Sequence, residues 1–399
     1  MNGFEQELGH RLAAIRAQGL YRELRALDGA QGPRINVEGR PLLNFSSNDY
    51  LGLANDPALK DAALRAIERH GAGSGASRLI CGTLEPHARL ESALALFKNT
   101  EAALAFSSGY AAAVGTINAL LDKSSVVIVD KLVHACVIDA ARMCGAKLRV
   151  FKHNDMEDLE HILQWTRRSN EKSPEIPHVL VVTESVFSMD GDHAPLRDIV
   201  ALKEKYGAWL MVDEAHSTGL YGPGRCGLAA GEGVADRIEI QMGTLSKAIG
   251  SSGGFICGSR ALISLLINRA RSFIFSTAPP PSAAAAATAG IQLIRSTEGE
   301  RRCAHLWNLA KMAGDELAKA GFSAPSQSPI LPLRIGEETL ALRWAAALRE
   351  RGFFIPAIRY PTVARGQARL RLTLSAAHSQ ADVTALCGAL QSLAKTPPS

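Results

Sequence analysis

The chain has 399 residues, of which 47% are hydrophobic and 21% are charged, and its formal net charge is +5. This ordinary globular composition excludes disordered, collagen-like and coiled-coil proteins, and the length favours two or three domains. The basic residues are scattered rather than clustered, so we predict no nucleic-acid partner. Residues 272–294 carry no charge, but Pro279–Pro281 interrupt them, so we predict no membrane-spanning helix.

The seven cysteines are an odd number and include no C-x-x-C pair. Because their neighbours are apolar or glycine, we expect buried free thiols in a reducing compartment. The first seven residues include two glutamates, whereas a signal peptide would begin with basic residues. The sequence therefore predicts a cytoplasmic protein.

Residues 1–45 are predicted to form an N-terminal helical segment, with an amphipathic helix from Glu5 to Leu27. Residues 46–285 follow as a large domain in which short apolar runs alternate with helical patterns. These runs predict a mostly parallel sheet in an α/β fold, with ligands at the carboxyl ends of its strands. The four clearest runs are Val126–Asp130, Val179–Glu184, Ala208–Asp213 and Ile238–Met242.

Residues 286–399 are predicted to form a smaller α+β domain. An alanine-rich helix, Ser282–Ile294, leads into it. Its predicted strands are Ile330–Ile335, Phe353–Ile358 and Arg369–Leu374, and its predicted helices are Glu337–Arg351 and Gln380–Leu393.

Lys247 lies in a run of small residues, Gly243–Gly254, directly after a predicted strand. Small neighbours let a flat cofactor approach the backbone, and partial desolvation makes a lysine nucleophilic. A surface lysine in a glycine-rich turn would give the same pattern. The segment alone therefore does not decide between a covalent cofactor lysine and a solvated one.

Asp213 ends the strand that precedes the lysine segment, which favours the cofactor interpretation. A pyridoxal phosphate enzyme needs a carboxylate at the ring nitrogen in addition to its lysine. Three further strand ends offer suitable groups. The segment Phe106–Ala111 is typical of a glycine loop that opens a helix and binds phosphate, His134 could stack on a ring, and Ser188 could bond its oxygen.

Three other patterns carry less weight. Asp213–His216 spells a helicase box, but the chain has no G-x-x-x-x-G-K-[ST] phosphate loop. Ser252 lies in a G-x-S-x-G match, and a serine hydrolase would have to use His305 or His378 with it. Asp190, Asp192 and His193 have no zinc or calcium spacing, so we predict no metal.

Long motifs then resemble the α-oxoamine synthases over nearly the whole chain. The matching segments are Leu43–Leu53, Val186–Asp192, Trp209–Gly219, Thr244–Lys247 and Ala368–His378. The resemblance implies a large domain of the aspartate-aminotransferase type (fold type I of pyridoxal phosphate enzymes). It also implies a homodimer with active sites at its interface, and the condensation of an amino acid with an acyl thioester with loss of CO₂.

The resemblance also implies roles for individual residues. Lys247 would bind the cofactor covalently and transfer protons, Asp213 would pair with the ring nitrogen, and His134 would stack on the ring and contact substrate. The other expected cofactor contacts are Gly109, Tyr110, Ser188, His216, Thr244, Ser276 and Thr277, the last two reaching the partner subunit's phosphate. The expected substrate contacts are Arg22, Asn48, Thr362 and Arg371.

Within the family, the motifs are most similar to the biotin-pathway branch, which joins L-alanine to a pimeloyl thioester. Segments Asn44–Tyr50 and Leu370–Leu374 support this branch, whereas Arg78–Thr83 and Gly366–Arg369 resemble the glycine C-acetyltransferase branch. The acyl carrier is either coenzyme A or a carrier protein. Both branches remain open from the residues, and both share the reaction class.

Overall fold

We analysed a computed structural model that describes residues 3–170, 178–322 and 327–395. Its strands are β1 (Leu27–Asp28), β2 (Arg34–Val37), β3 (Arg40–Asn44), β4 (Ala102–Phe106), β5 (Val126–Asp130), β6 (Lys147–Phe151), β7 (Val179–Glu184), β8 (Trp209–Asp213), β9 (Ile240–Thr244), β10 (Gly254–Gly258), β11 (Ile330–Gly336), β12 (Phe353–Phe354), β13 (Ala357–Ile358) and β14 (Ala368–Thr373).

The helices of the described residues vary from one turn to more than six. They are α1 (Gly3–Ala17), α2 (Pro57–His70), α3 (Glu85–Lys98), α4 (Gly109–Leu120), α5 (Ala135–Met143), α6 (Met156–Asn170), α7 (Leu196–Tyr206), α8 (Leu228–Gly231), α9 (Arg260–Arg269), α10 (Arg271–Ile274), α11 (Pro281–Arg295), α12 (Thr297–Lys319), α13 (Glu338–Glu350) and α14 (Gln380–Lys395). None of them is long and apolar enough to cross a membrane.

The chain divides into two compact units, a larger one, Asn48–Trp307, and a smaller one that combines Met1–Ser47 with Asn308–Ser399. The large domain expected from the sequence ended at residue 285. The larger unit continues beyond that point because α11 buries Ala284, Ala287 and Ile291, and it packs against α2 and α3 of the same unit.

The larger unit is built on a seven-stranded sheet with the order β4-β10-β9-β8-β7-β5-β6. Only β10 runs against its neighbours, so the predicted α/β fold with a mostly parallel sheet is confirmed. Alternate residues such as Val127, Leu180 and Met211 pack against α4 and α5, where Ile117 and Val137 are fully buried. Both faces of these strands are buried, which explains why their sequences are continuously apolar.

The smaller unit contains two short sheets, with the orders β1-β2-β3-β12 and β11-β14-β13. In the second, β14 lies between β11 and β13, and all three run antiparallel to their neighbours. Every residue of β14 is buried, including Arg369 and Arg371. The predicted α+β character of this part of the chain agrees with these elements.

Several predicted elements have different bounds in the structure. The strand expected over Phe353–Ile358 is two short strands, β12 and β13, which belong to different sheets. The helix expected over 5–27 ends at Ala17, because Gly19 adopts φ +65° and the Leu20 N–H bonds the Ile15 carbonyl, which closes the helix. The strand expected from Ile238 begins at Ile240, since residues 235–237 form a turn of 3₁₀ helix.

All seven cysteines are free thiols. Four of them are buried, as expected, but Cys81 is exposed and contradicts the expectation of a uniformly buried set. Burial raises the pKa of the Cys257 thiol to about 12, so this cysteine stays protonated and packs as a small apolar residue.

Candidate active site

Lys247 lies in the loop that joins β9 to the reversed strand β10. Backbone hydrogen bonds fix this loop, from Leu245 N–H to the Gly253 carbonyl (2.9 Å) and from Ser251 N–H to the Leu245 carbonyl (2.8 Å). The Thr244 hydroxyl also donates to the Gly253 carbonyl (2.9 Å). The lysine is therefore presented by a closed turn at the carboxyl end of a central strand.

A chain of side-chain hydrogen bonds starts at the lysine amine. Lys247 Nζ lies 2.8 Å from His216 Nε2, and His216 Nδ1 lies 2.6 Å from Tyr50 Oη. Tyr50 Oη is in turn 3.5 Å from Asn48 Oδ1. If Lys247 is an ammonium group it can only donate, so a neutral His216 accepts at Nε2 and donates from Nδ1 to Tyr50. Tyr50 then donates to Asn48, and every bond in the chain has one donor and one acceptor.

Asp213 ends β8, and its buried carboxylate accepts the Ala215 N–H at 2.9 Å. Burial raises the pKa of this carboxyl, and the charge of Lys247 acts in the opposite direction. His134 is the N-cap residue of α5, where its Nδ1 accepts the Cys136 N–H at 3.3 Å. Burial lowers the pKa of His134, the Asp213 charge raises it, and the Lys247 charge lowers it. His134, Asp213 and Lys247 therefore interact electrostatically.

Glu184 is a second buried carboxyl beside Asp213, and sequence reasoning missed it. The two residues are direct register partners on β7 and β8. Burial and the Asp213 charge raise the pKa of Glu184 to about 8, so Glu184 holds a proton far more readily than an exposed carboxyl does. Its one available signal was its place as the last residue of a predicted strand.

The start of α4 lies beside β10 and the end of β9. Ser108 caps the helix by accepting the Ala111 N–H at 3.0 Å. A Cβ atom on Gly254 would lie 2.5 Å from the backbone nitrogen of Gly109, so the strand and the helix N-terminus approach each other at a distance that only glycine permits. Tyr110 follows, half exposed, and its hydroxyl donates to Asp139 at 2.9 Å.

The remaining predicted contacts are divided between the two units. Ser276 and Thr277 are in the larger unit, where Thr277 pairs with Ser77. The smaller unit contains Arg22, Thr362 and Arg371. The guanidinium of Arg371 donates to the Thr373 hydroxyl at 3.0 Å.

Arg22 and Thr362 both line a cleft of about 1070 Å³ within the smaller unit. Most of the cleft wall is apolar, including Leu24, Ile355 and Ile358. Arg359 lies in the same cleft and donates to the backbone carbonyl of Tyr21 at 3.2 Å. This combination suits a molecule with an apolar stem and an anionic end.

Behind the site, Lys98 and Glu214 form a buried ion pair, with side chains 2% and 1% exposed. Glu214 directly follows Asp213, and its other oxygen accepts the Ser217 hydroxyl (3.0 Å) and the Ala229 N–H (2.9 Å). The pair thus fixes the turn that carries Asp213 and His216. Sequence reasoning missed this pair too, since neither residue belongs to a chemical motif.

The described residues contain no group of histidines, cysteines and carboxylates arranged to hold a metal ion. Both ring nitrogens of His378, a candidate partner for the Ser252 hydrolase hypothesis, are used in structural bonds to the backbone of Ser375 and Asn44. The larger unit instead combines a loop lysine, a buried carboxylate and a capped helix N-terminus. This donor set fits pyridoxal phosphate, which needs an amine, a ring-nitrogen partner and a phosphate site.

Comparison with known proteins agrees with this donor set. The family model of class I and II aminotransferases matches residues 40–390. An 8-amino-7-oxononanoate synthase of Anaeromyxobacter sp. (strain K) is 48% identical over 98% of this chain and 96% of its own. The 8-amino-7-oxononanoate synthase of Geobacter sulfurreducens is 47% identical over 96% of this chain and 97% of its own.

The chain belongs to the 8-amino-7-oxononanoate synthase family. Solved structures agree with this assignment. Serine palmitoyltransferase from S. paucimobilis has a TM-score of 0.90 at 30% identity, covering 98% of this chain and 97% of that one. The 8-amino-7-oxononanoate synthase of Francisella tularensis has a TM-score of 0.74 at 28% identity, with 89% and 97% covered.

Membership confirms the predicted fold type, the pyridoxal phosphate cofactor and the class of acyl-transferring enzyme. The names of the relatives support an oxoamine synthase reaction in biotin biosynthesis. The chain spans nearly the full length of these relatives. The roles of the individual site residues stay predictions.

Proposed function

We propose that this protein condenses L-alanine with a pimeloyl thioester to give 8-amino-7-oxononanoate, CO₂ and a free thiol. The observation that carries the proposal is the full-length similarity to relatives of that name, in a chain that joins Lys247, His216 and Asp213 in one unit. We retain the cytoplasmic location as a prediction.

The proposed mechanism assigns each proton step to Lys247. The bound cofactor supplies a conjugated ring that stabilises negative charge on the amino acid's α-carbon. Lys247 Nζ removes the α-proton, and after CO₂ has left it returns a proton to the same carbon. His216 holds the amine through its 2.8 Å contact while Lys247 is not bound covalently.

Asp213 would hold a fixed negative charge at the ring nitrogen. This role is supported by the neighbouring carboxyl of Glu184, whose pKa is raised by burial and by the Asp213 charge. The N-terminus of α4, with its Ser108 cap, would bind the cofactor phosphate through backbone N–H groups. Thr244 lies at the end of β9, and its hydroxyl bonds the Gly253 carbonyl within the lysine loop. It would line the cofactor site.

The acyl group would lie in the cleft of the smaller unit. A pimeloyl chain has an apolar stem and a terminal carboxylate, which match the apolar wall and the five arginines there, Arg22 among them. Acetyl groups have no such end and would gain nothing from Arg22. The cleft therefore supports the pimeloyl branch over the acetyltransferase branch.

We expect a higher kcat/KM for pimeloyl-CoA with alanine than for acetyl-CoA with glycine. Replacing Arg22 by alanine should lower the pimeloyl value about 10- to 100-fold, because one charge-assisted bond to the carboxylate is lost. Steady-state kinetics with each pair of substrates measures both effects. Arg11→Ala, on the exposed face of α1, is the matched control.

If glycine with acetyl-CoA is the better pair, the biotin-pathway proposal fails and the oxoamine synthase class survives. If Arg22→Ala and Arg11→Ala give the same pimeloyl kinetics, only the role of Arg22 fails. A carrier-protein thioester in place of pimeloyl-CoA distinguishes the two acyl carriers.

A homodimer is supported by an exposed apolar patch made of Leu79, Ile80 and Phe275. Their exposed fractions are 50%, 80% and 70%, and the pairing of Ser77 with Thr277 brings their two segments together. Large apolar side chains grouped on a surface favour a protein interface. In the proposed dimer this patch meets a second copy, and Ser276 and Thr277 reach the partner's cofactor phosphate.

The patch gives a direct test of assembly. We expect wild type to sediment as a dimer, and Ile80→Asp to shift it towards monomer by placing a charge in an apolar contact. The control is Leu265→Asp, which lies near the amino ends of β8 and β9, opposite the candidate site. A monomeric wild type, or an Ile80→Asp dimer as stable as wild type, would contradict the proposed interface.

A further inference from the structure

His153 lies between two carboxylates, outside the contacts described above. Its Nδ1 is 2.9 Å from Asp130 Oδ1 and its Nε2 is 2.7 Å from Asp192 Oδ2. The Asp130 side chain is fully buried, while those of His153 and Asp192 are 24% and 31% exposed. One imidazole thus joins a buried carboxylate to a partly exposed one.

The charges of Asp130 and Asp192 determine the protonation state of His153. Burial acts to lower the pKa of His153, but hydrogen bonds to the two carboxylates and their charges outweigh it and raise the pKa to about 10. The ring is therefore an imidazolium at neutral pH, and both nitrogens donate. Asp130 also accepts the N–H groups of Leu132 (2.7 Å) and Asn154 (2.9 Å), so its buried charge is fully compensated.

Each carboxylate belongs to a different loop of the candidate site. Asp130 ends β5, and the bond from the Leu132 N–H holds the short segment that leads to His134. Asp192 closes the loop that contains Ser188, since the Phe187 N–H donates to the Asp192 carbonyl at 3.0 Å. His153 lies between these two loops.

Two further contacts tie His153 to the loop of Ser188. The imidazole meets the Phe187 ring edge to face, with centroids 4.4 Å apart and an angle of 88°. Asn154, the next residue, donates its side-chain amide to the His193 carbonyl at 3.0 Å. On the inner side, Glu184 accepts the Ser188 N–H at 3.2 Å. The loop of Ser188 is therefore held from the core by Glu184 and from the outside by His153.

We propose that His153 is a positioning residue that, bonded to both Asp130 and Asp192, sets the distance between His134 and Ser188. Those two residues would lie on the face and at the edge of the cofactor ring, so His153 controls the orientation of the ring between them. This inference rests on the proposed cofactor contacts of His134 and Ser188.

The test uses two variants, each of which breaks a hydrogen bond between His153 and a carboxylate. His153→Gln keeps a donor towards one carboxylate only, and Asp192→Ala removes the partly exposed carboxylate and leaves the buried one paired. The readouts are the circular dichroism band of pyridoxal phosphate in saturated protein, the cofactor Kd by equilibrium dialysis, and the Tm of the apoprotein. His161→Gln and Asp198→Ala, at exposed positions of α6 and α7, are the matched controls.

We expect both variants to weaken the cofactor band at saturation and to raise the Kd about tenfold, the loss expected for one charged hydrogen bond. The controls should match wild type. A band and a Kd that equal those of wild type would overturn the inference, and so would a lower apoprotein Tm with an unchanged band, which indicates a structural role alone. A wild-type protein without any cofactor band would instead overturn the proposed cofactor site, and the inference with it.

Discussion

Replacing Lys247 by alanine will lower the turnover of alanine and pimeloyl thioester by about 10⁴-fold or more, even at saturating pyridoxal phosphate. The variant loses both the covalent bond to the cofactor and the group that transfers the α-proton. His216, 2.8 Å from the lysine amine, cannot replace it, because an imidazole cannot form the covalent bond that a lysine forms with the cofactor. Steady-state kinetics of the purified variant measures the loss.

The assignment has an independent chemical check. Reduction of the wild-type holoprotein with borohydride, followed by peptide mapping, should label the peptide that carries Lys247. Lys123→Ala, at an exposed position before β5, should keep both the label and the turnover. Label on another lysine, or full activity in Lys247→Ala, would contradict the assignment.

Replacing Asp213 by asparagine will slow the exchange of the alanine α-proton with solvent by about 10³-fold, which corresponds to about 4 kcal/mol of lost carbanion stabilisation. The fixed negative charge at the ring nitrogen disappears, while the side chain keeps its shape and can still accept the Ala215 N–H. Proton NMR of alanine in deuterated buffer follows the exchange directly.

The charge of Asp213 also acts on its neighbour. Because that charge raises the pKa of Glu184, the Asp213→Asn variant should have a Glu184 pKa below about 8. Asp198→Asn, an exposed carboxylate on α7, controls for a general change in charge. Exchange at the wild-type rate in Asp213→Asn would show that another group stabilises the carbanion.

The sequence was most informative for the central strands of the sheet. Strands β5 and β7 have the predicted bounds because each is a continuous β-branched run that is buried on both faces. Strand β10, Gly254–Gly258, could not be predicted, since glycines at its ends and in front of it are typical of a loop. Its place in the sheet depends on pairing with β4 and β9, which is a long-range contact.

In the candidate site, too, residues that belong to local motifs could be selected from the sequence, whereas residues that depend on long-range contacts could not. Lys247 and Asp213 could be selected as candidates because Lys247 follows a strand, Asp213 ends one, and each belongs to a recognisable motif; their roles stay predictions. Tyr50 was not, because its contact with His216 joins residues 166 positions apart. Glu184 gave no sign of its protonation state, which depends on the carboxyl next to it in the folded sheet.

The buried pair of Lys98 and Glu214 has a consequence for how this sequence can change. Removal of either partner leaves an unpaired buried charge, which typically costs about 3–5 kcal/mol, whereas replacing both with apolar residues of similar volume is often neutral. Positions 98 and 214 are 116 residues apart in the chain, yet they can change safely only together. In a mutational library, single substitutions at these positions would be depleted. A matched apolar double would recover only where the Ser217 hydroxyl and the Ala229 N–H, which now donate to Glu214, gain other acceptors.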